Sequence, residues 1–429
     1  MKVLVVGSGG REHTLVWKLK QSKKVSQIFC APGNAGIRKL AQCVDIRVDD
    51  INGLCQFAKD NNIDLTVVGP ELPLSLGIVD TFKKNSLLIY GPTQAAARIE
   101  SSKSYAKKLM HKYKVPTAAF AVFDKETQAI DHARKSKYPL VVKYDGLASG
   151  KGVFICETFE QARKVIEGCF ENLYKAVVIE EFLVGREVSF QVITDGYNAI
   201  PLSPAQDFKK AYDGNTGSNT GGMGAYAPVD FVDTKLEQKI AEKVIFPIID
   251  GLNNEGTPFA GTLYAGLMVD EKNDPYVIEF NARFGDPETQ VILPLLEDDL
   301  FQILYSAATG ALSDDYETFN ISDSHAITVV IASGGYPGNF KKGYPIEGLE
   351  NIDDDDLIVF HSGTTMNQYG EVVTNGGRVL TVTATASTLH RAYDRVYESI
   401  DLIKFKDMRY RKDIAKSQVK DKDFFVNKT

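Results

Sequence analysis

The sequence predicts an α/β protein, α+β in parts, made of several domains. Three observations predict it. In the first hundred residues, short apolar strands each run into a turn containing Gly or Pro, the pattern of loops gathered at the carboxyl edge of an open parallel sheet. Further on, a strand at residues 139–143 ends in lysine and is followed by a glycine-rich loop and a second strand. Near residue 280, a strand places apolar side chains on one face and a carboxylate, an amide and a guanidinium on the other. The 429 residues, 44% of them hydrophobic, suffice for two to four domains with substantial cores.

Composition narrows the function. The net charge is −7 and there is no basic block, which argues against nucleic acid and anionic membrane as partners. No apolar run approaches a membrane span. The N-terminus enters a strand directly and lacks a signal-peptide core, so a cytoplasmic protein is expected. Cys30, Cys43, Cys55, Cys156 and Cys169 form no CxxC and have mostly apolar neighbours, so they read as buried free thiols. The histidines show no HxxxH or HExxH spacing, which disfavours zinc.

In chain order, a strand is expected at residues 2–6, then the turn Gly7-Ser-Gly-Gly-Arg-Glu-His13, then a helix at 14–22. Strand, glycine turn and helix make a cradle whose backbone N–H groups favour an anion. The dinucleotide fingerprint fails because Glu12 stands at the third glycine, and the second strand, 26–30, carries no acid at its tip. Strands at 65–68 and 87–90 follow, ending in Gly69-Pro-Glu71 and Gly91-Pro92. A short helix at 101–111 carries Lys103, Lys107 and Lys108. The loop after Lys143, Tyr144-Asp-Gly-Leu-Ala-Ser-Gly-Lys-Gly152, is not a Walker A loop, since Gly152 replaces its Ser/Thr. It is either a flap folding its N–H groups over phosphates above the Lys143 charge, or a flexible hairpin with solvated lysines.

Residues 176–190 read as a strand, a bend at Gly185 and another strand. Residues 201–226 form a long polar, glycine-heavy loop, and the interleaved Asp207, Lys209 and Tyr212 argue that it is functional. A helix is expected at 234–253 and a strand at 262–270. The strand at 276–284 turns Ile278, Phe280, Ala282 and Phe284 to a core, and Glu279, Asn281 and Arg283 outward. Oxygen ligands two residues apart lie roughly 7 Å from one another on a strand and can lean onto one Mg²⁺. Gly285-Asp286-Pro287-Glu288 then turns the chain. A helix at 299–309, strands at 326–332, 357–360 and 378–383, and an amphipathic helix at 389–403 complete the chain. The acidic run 353–356 reads as a solvated turn, and residues 421–429 as a frayed tail.

Taken together, the glycine turn, Pro32-Gly-Asn-Ala-Gly36, Gly69-Pro-Glu71, the loop after Lys143, Asn219-Thr-Gly-Gly-Met-Gly-Ala-Tyr226 and residues 278–288 resemble the glycinamide ribonucleotide synthetases of the ATP-grasp superfamily. The resemblance covers essentially the whole chain. It implies an N-terminal open parallel α/β domain at 1–102, an ATP-grasp domain at 103–323 with a flap at about 117–188, and a C-terminal mixed-sheet domain at 324–429. It implies ATP-dependent joining of glycine to 5-phosphoribosylamine through a glycyl phosphate, with Mg²⁺ (or Mn²⁺) held by Glu279 and Asn281.

By the same resemblance, Lys103, Lys143, Gly146, Ser149, Gly150 and Gly152 would meet the nucleotide phosphates. Glu180, Glu181, Phe182 and Leu183 would meet adenine, and Glu187 its ribose. Gly9, Gly10, Arg11, Asn34, Pro70 and Glu71 would hold the ribosylamine. Asp207 and Lys209, with Gly285, Asp286, Pro287 and Glu288, would surround glycine and the amine. Arg283, Asp207 and Lys143 are the expected catalytic residues. A monomer or weak dimer is expected, with transient contact to the enzyme that supplies phosphoribosylamine.

Four positions depart from the pattern: Phe208, Lys210, Asn215 and Ser218 stand where His, Arg, Asp and Pro are usual. They sit near the expected glycine pocket and bear on its loop geometry and affinity more than on the reaction. Rival readings are another ATP-grasp ligase, which would lack the first glycine turn and the 219–226 loop, a nicotinamide dehydrogenase, and a nucleotide-binding scaffold without turnover.

Overall fold

A computed structural model describes residues 1–147, 152–172, 174, 176–352, 354 and 356–419. Four principal sheets organise it. The first is parallel throughout, in the order Gln42–Cys43, Gln27–Pro32, Lys2–Gly7, Leu65–Val68, Ile89–Tyr90. Val3, Leu4, Val5 and Val6 are fully buried, as expected of a strand covered on both faces. The strand order reverses between Lys2–Gly7 and Leu65–Val68, the place where such sheets open a crevice at their carboxyl ends. Gly7 and Gly69 sit at that opening.

The second sheet, Phe120–Phe123, Val177–Glu181, Leu140–Tyr144 and Val153–Cys156, is antiparallel. The helices Glu126–Lys135 and Phe159–Glu171 cover it around a separate small core of Ala133, Val142, Ile166 and Ile179. The third sheet runs Ala199–Pro201, Arg186–Asp195, Ala260–Val269, Pro275–Asn281. Gly185 lets the chain turn into it, because a Cβ there would stand 2.3 Å from the Val269 carbonyl oxygen.

The fourth sheet takes strands from two distant stretches: Gln206–Asp207 and Gly224–Ala227 pair onto His325–Ala332, Arg378–Ala386 and Leu357–His361. The polar loop of residues 201–226 is therefore partly strand. Helix Leu389–Ile400 covers this sheet. Thr388 caps it by accepting from the Arg391 N–H, and Leu389, Ala392, Val396 and Ile400 line its buried side at helical spacing.

Several expected boundaries move. The first helix begins at Gly10 rather than residue 14, because the Glu12 carboxylate accepts the N–H groups of Ser8 and Gly9 and folds the turn into the helix start. The helix Thr289–Leu295 is buried on nearly every side, so its sequence shows no polar period, and Pro294 further disguises it. The strand near residue 280 ends at Asn281, not 284. The expected frayed tail at 421–429 lies outside the described residues, as do two residues of the acidic run. Asp354 and Asp356 pair with Arg395. All five cysteines are free, and four of them are buried. No helix among the described residues is long and apolar enough to cross a membrane.

Candidate active site

A cleft of about 460 Å³ opens where the first sheet's carboxyl edge, the flap sheet and the third sheet meet. Its size suits a nucleotide-sized ligand. The strand Pro275–Asn281 forms its floor. A β-bulge there sets Gly266 opposite Glu279 and Leu267 opposite Val277, so Ile278 has no partner. The bulge breaks the expected alternation: Val277 enters the core, and Ile278 lines the cleft together with Glu279, Phe280, Asn281 and Arg283. Ile278 and Phe280 are thus not simply the core face of the strand, as simple period-two reasoning expects.

Burial works to raise the Glu279 carboxyl, but Lys209, Lys143, Lys103 and Arg283 hold it below the usual carboxylate range. Glu279 and the Asn281 carbonyl are hard oxygen donors, the kind that Mg²⁺ accepts beside phosphates and water. Among the described residues, no group of three or more His, Cys, Asp or Glu is arranged for a metal. Two hard oxygens alone make an incomplete set, so an ion here would take its remaining ligands from water or a bound ligand.

Both phosphate-type lysines are occupied within the protein. Lys103 Nζ donates to the Gly146 carbonyl at 2.8 Å. Lys143 Nζ donates to the Ile278 carbonyl at 2.8 Å and lies 2.9 Å from Glu180 Oε1. Gly146 takes φ +134°, a conformation that glycine adopts without strain. Gly152 lines the cleft, whereas Ser149 and Gly150 lie outside the described residues. Glu180, Glu181, Phe182 and Leu183 line the end of the cleft with Val141, Ile155 and Met268, an apolar slot. Glu187 also lines the cleft, 3.4 Å from Lys209 Nζ.

Arg283 is gripped by two acids, Glu71 Oε2 at 3.2 Å and Glu100 Oε1 at 3.0 Å, and also donates to Asn281 Oδ1 at 3.1 Å. Asp207 faces Lys209 but also Glu288, Glu187 and Glu279; burial, with those acids, pushes its carboxyl up to about 7 against the pull of Lys209. Glu288 accepts from Tyr264 at 2.6 Å and from Ser189 at 3.0 Å. Asp286 pairs with Arg378 at 3.3 Å.

The first glycine turn differs from the expected cradle. Glu12 Oε2 takes the N–H groups of Ser8 (3.1 Å) and Gly9 (2.6 Å), while Glu12 Oε1 receives Arg11 at 2.5 Å. The protein's own carboxylate fills the place that a phosphate takes in a dinucleotide fold. Arg11, Pro70, Glu71, Asp286 and Glu288 line the cleft; Gly9, Gly10, Asn34, Gly285 and Pro287 are outside its lining. Asn34 is a strap: Nδ2 donates to Ser8 O and His361 O at 2.8 Å each, and Oδ1 accepts from Gly36 and Ile37.

Sequence reasoning missed Glu100, Lys107, Tyr264 and Arg378 as cleft residues. Lys107 was visible as a helical lysine four residues after Lys103. The other three sit in unremarkable helix or strand sequence and reach the cleft only through tertiary packing. Of the departures, Phe208 turns to the Arg411 guanidinium (5.2 Å) and the Tyr226 ring (6.3 Å), and Asn215 takes a positive φ of 53° in an exposed turn.

Three stretches of the chain match family descriptions: residues 1–100 "Phosphoribosylglycinamide synthetase, N domain", residues 101–289 its "ATP-grasp (A) domain", and residues 326–417 its "C domain". The chain belongs to the phosphoribosylglycinamide synthetase family. It is 46% identical over 420 residues to a phosphoribosylamine–glycine ligase of Caldanaerobacter subterraneus, covering 97% of this chain and 99% of that one. To the ligase of Halalkalibacterium halodurans it is 47% identical over 425 residues, covering 98% and 97%. Among solved structures, the phosphoribosylamine–glycine ligase of Thermotoga maritima superposes with a TM-score of 0.84 at 32% identity, over 97% of this chain and all 100% of that chain. A biotin carboxylase of Campylobacter jejuni superposes with a TM-score of 0.73 at 16% identity, over 100% and 96% of the two chains, a likeness of fold alone. The protein is a ligase with ATP-grasp architecture, and the family's chemistry uses ATP with a divalent metal.

Proposed function

We infer that the chain joins glycine to 5-phosphoribosylamine at the expense of ATP, giving glycinamide ribonucleotide, ADP and phosphate, the second step of de novo purine synthesis. The observation that carries this reading is the convergence, in one cleft, of Lys103, Lys143, Glu279, Asn281, Arg283 and Asp207. A carboxylate attacking a phosphate brings anions together, so catalysis rests on positioning and charge neutralisation. Glycine's carboxylate attacks the γ-phosphate to form glycyl phosphate, and the ribosylamine nitrogen then displaces phosphate.

Lys103 and Lys143 take the nucleotide phosphates, together with the glycine-rich loop of residues 146–152. The slot at residues 180–183 takes adenine, and Glu187 takes the ribose hydroxyls. Glu279 and Asn281 hold Mg²⁺, or Mn²⁺ in its place, which neutralises phosphate charge when bound. Arg283 meets the transferring phosphoryl group or the glycine carboxylate once substrate displaces it from Glu71 and Glu100. Asp207, near neutrality at about 7, takes the proton that the ribosylamine nitrogen sheds on attack. Arg11, Pro70 and Glu71 hold the ribosylamine, together with Gly9, Gly10 and Asn34, which lie outside the cleft lining. Lys209 and residues 285–288 border the glycine.

A cytoplasmic monomer or weak dimer, handed its labile amine by transient contact with the enzyme that makes it, fits this chemistry. The domain division proposed is 1–102, 103–323 and 324–429, with a flap at about 117–188.

The test is ADP release from glycine and Mg·ATP, with and without phosphoribosylamine generated in situ. Release requiring both substrates is expected. Release independent of both would point to another ATP-grasp substrate, and binding of ATP without release would point to a scaffold.

A further inference from the structure

Lys107 has no role in the reading above, yet it is among the most enclosed charges of the cleft, with its side chain 3% exposed. It leaves the helix Lys103–Lys112 one turn after Lys103, on the same face. Its Nζ lies 2.8 Å from Glu180 Oε2 and donates to Thr117 Oγ1 at 2.6 Å. Thr117 in turn donates to the Val277 carbonyl at 2.6 Å, which ties the ammonium to the strand that carries Glu279 and Asn281.

The other oxygen of Glu180 is held differently. Oε1 lies 2.9 Å from Lys143 Nζ, but it has no hydrogen-bond partner, and the directed bond of Lys143 goes to the Ile278 carbonyl. One buried carboxylate therefore sits between two lysines, 2.8 Å from Lys107 and 2.9 Å from Lys143.

Charge arithmetic gives this arrangement a purpose. A lysine that moves onto a nucleotide phosphate must leave whatever it pairs with. Removing one partner from a buried pair is costly, because it strands the other charge away from water. If Lys143 were the only partner of Glu180, its departure would strand that acid. With Lys107 in place, its departure leaves a neutral one-to-one pair. Burial holds the Lys107 ammonium down to about 8, the Glu180 charge pulling it up and Lys143 pushing it down. Movement of Lys143 toward phosphate removes that repulsion and tightens the pair that remains.

We propose that Lys107 is a positioning residue: as the standing counter-ion of Glu180, it frees Lys143 to leave that carboxylate for the phosphates of the nucleotide. The proposal rests on the assignment of Lys143 to the phosphates, and the experiment separates the two. The readout is the KM for Mg·ATP divided by the inhibition constant of adenosine, which shares the base slot but has no phosphate. A general loss of structure moves both constants and leaves the ratio alone.

Lys143→Met should raise the ratio about tenfold to a hundredfold, the worth of a hydrogen bond to a charged group. An unchanged ratio there would overturn the phosphate assignment and the proposal with it. Lys107→Met should raise the ratio about tenfold by trapping Lys143 on Glu180. Adding Glu180→Gln to Lys107→Met releases the trap and should bring the ratio back to within about threefold of the starting protein. A raised ratio in Lys143→Met with an unchanged ratio in Lys107→Met would overturn the role of Lys107 alone, as would a double variant that shows no recovery. If Lys107→Met fails to fold, Lys107→Gln, which keeps a donor without the charge, carries the same expectation, and an unchanged ratio in it is equally decisive.

Discussion

Glu279 and Asp207 show how far single residues depend on their surroundings. Glu279 keeps its charge although burial opposes it, since four cations face it. Glu279→Gln keeps the shape and removes that charge, so the Mg²⁺ concentration needed for half-maximal turnover should rise about tenfold or more; a magnesium titration showing no rise would refute the ligand assignment. Asp207 is the opposite case, a carboxyl pushed up to about 7 by burial and by facing acids. It accepts a proton only above that value, so kcat/KM should fall as pH drops below about 7. Asp207→Asn should be slower by about a hundredfold and should lose that acid limb. A limb that survives in the variant would assign it to another group. Several residues that line the cleft were legible because their chemistry is unusual for their setting: Glu279, Asn281 and Arg283 stand in a row, and Lys143 opens a glycine loop. Glu100 and Arg378 were not, because nothing local distinguishes a helix glutamate or a strand arginine until the fold brings them to Arg283 and Asp286.

Elements explain where alternation reasoning succeeded and where it failed. The period-two reading put Glu279 and Asn281 on the right face but misplaced Ile278, since a bulge is a property of pairing with Ala260–Val269 and not of the strand's own sequence. The displacement matters, because it turns the Ile278 carbonyl to Lys143. The bend at Gly185 was legible, and its reason is steric: the hinge passes against the backbone at Val269 with no room for a methyl group. Gly185→Ala should cost about 1–3 kcal/mol and raise the KM for ATP more than that for glycine, because the neighbouring slot at residues 180–183 must shift. Thermal unfolding together with steady-state kinetics checks both; an unchanged KM for ATP would separate the bend from the nucleotide slot. The helix Thr289–Leu295 escaped notice for the reverse reason, burial so complete that amphipathicity vanished.

Across the whole molecule, the first sheet and the fourth are joined by a contact made of histidines. His13 Nδ1 accepts the His361 N–H at 2.7 Å, and Asn34 spans from Ser8 to His361 beside it. Burial, aided by Lys39, pushes His361 down to about 4, and burial with His361 and Lys39 holds His13 well below its ordinary value. A base whose pKa is depressed by folding binds more protons when unfolded. Its stabilisation is therefore present above about 6.5 and lost as pH falls toward 4. Between pH 7 and 5, His361 alone should account for about 2 kcal/mol of lost stability. Denaturant titrations at the two pH values should show this difference shrink in His361→Gln, and an undiminished difference would assign the pH sensitivity elsewhere. The general α/β character, the parallel first sheet and the hairpin of Leu140–Tyr144 and Val153–Cys156 were readable from strand ends and glycine spacing. The recruitment of residues 206–207 and 224–227 into the fourth sheet was not, because the strand that seats 224–227 lies about a hundred residues further along the chain and leaves no mark in that segment.

That recruitment has a consequence for the order in which the chain becomes an enzyme. Asp207 reaches the cleft from a two-residue strand whose neighbour, Gly224–Ala227, is itself seated on His325–Ala332. As the polypeptide leaves the ribosome, the flap and the strand carrying Glu279 are made first, while the seat for Asp207 is still being synthesised and Arg378 has yet to follow. A nascent chain halted before residue 325 would have the groups assigned here to ATP but not the sheet that steadies the groups assigned to glycine and the amine. The seat of Asp207 thus forms only after residues 325–332 have been made, and the pairing of Asp286 with Arg378 comes later still.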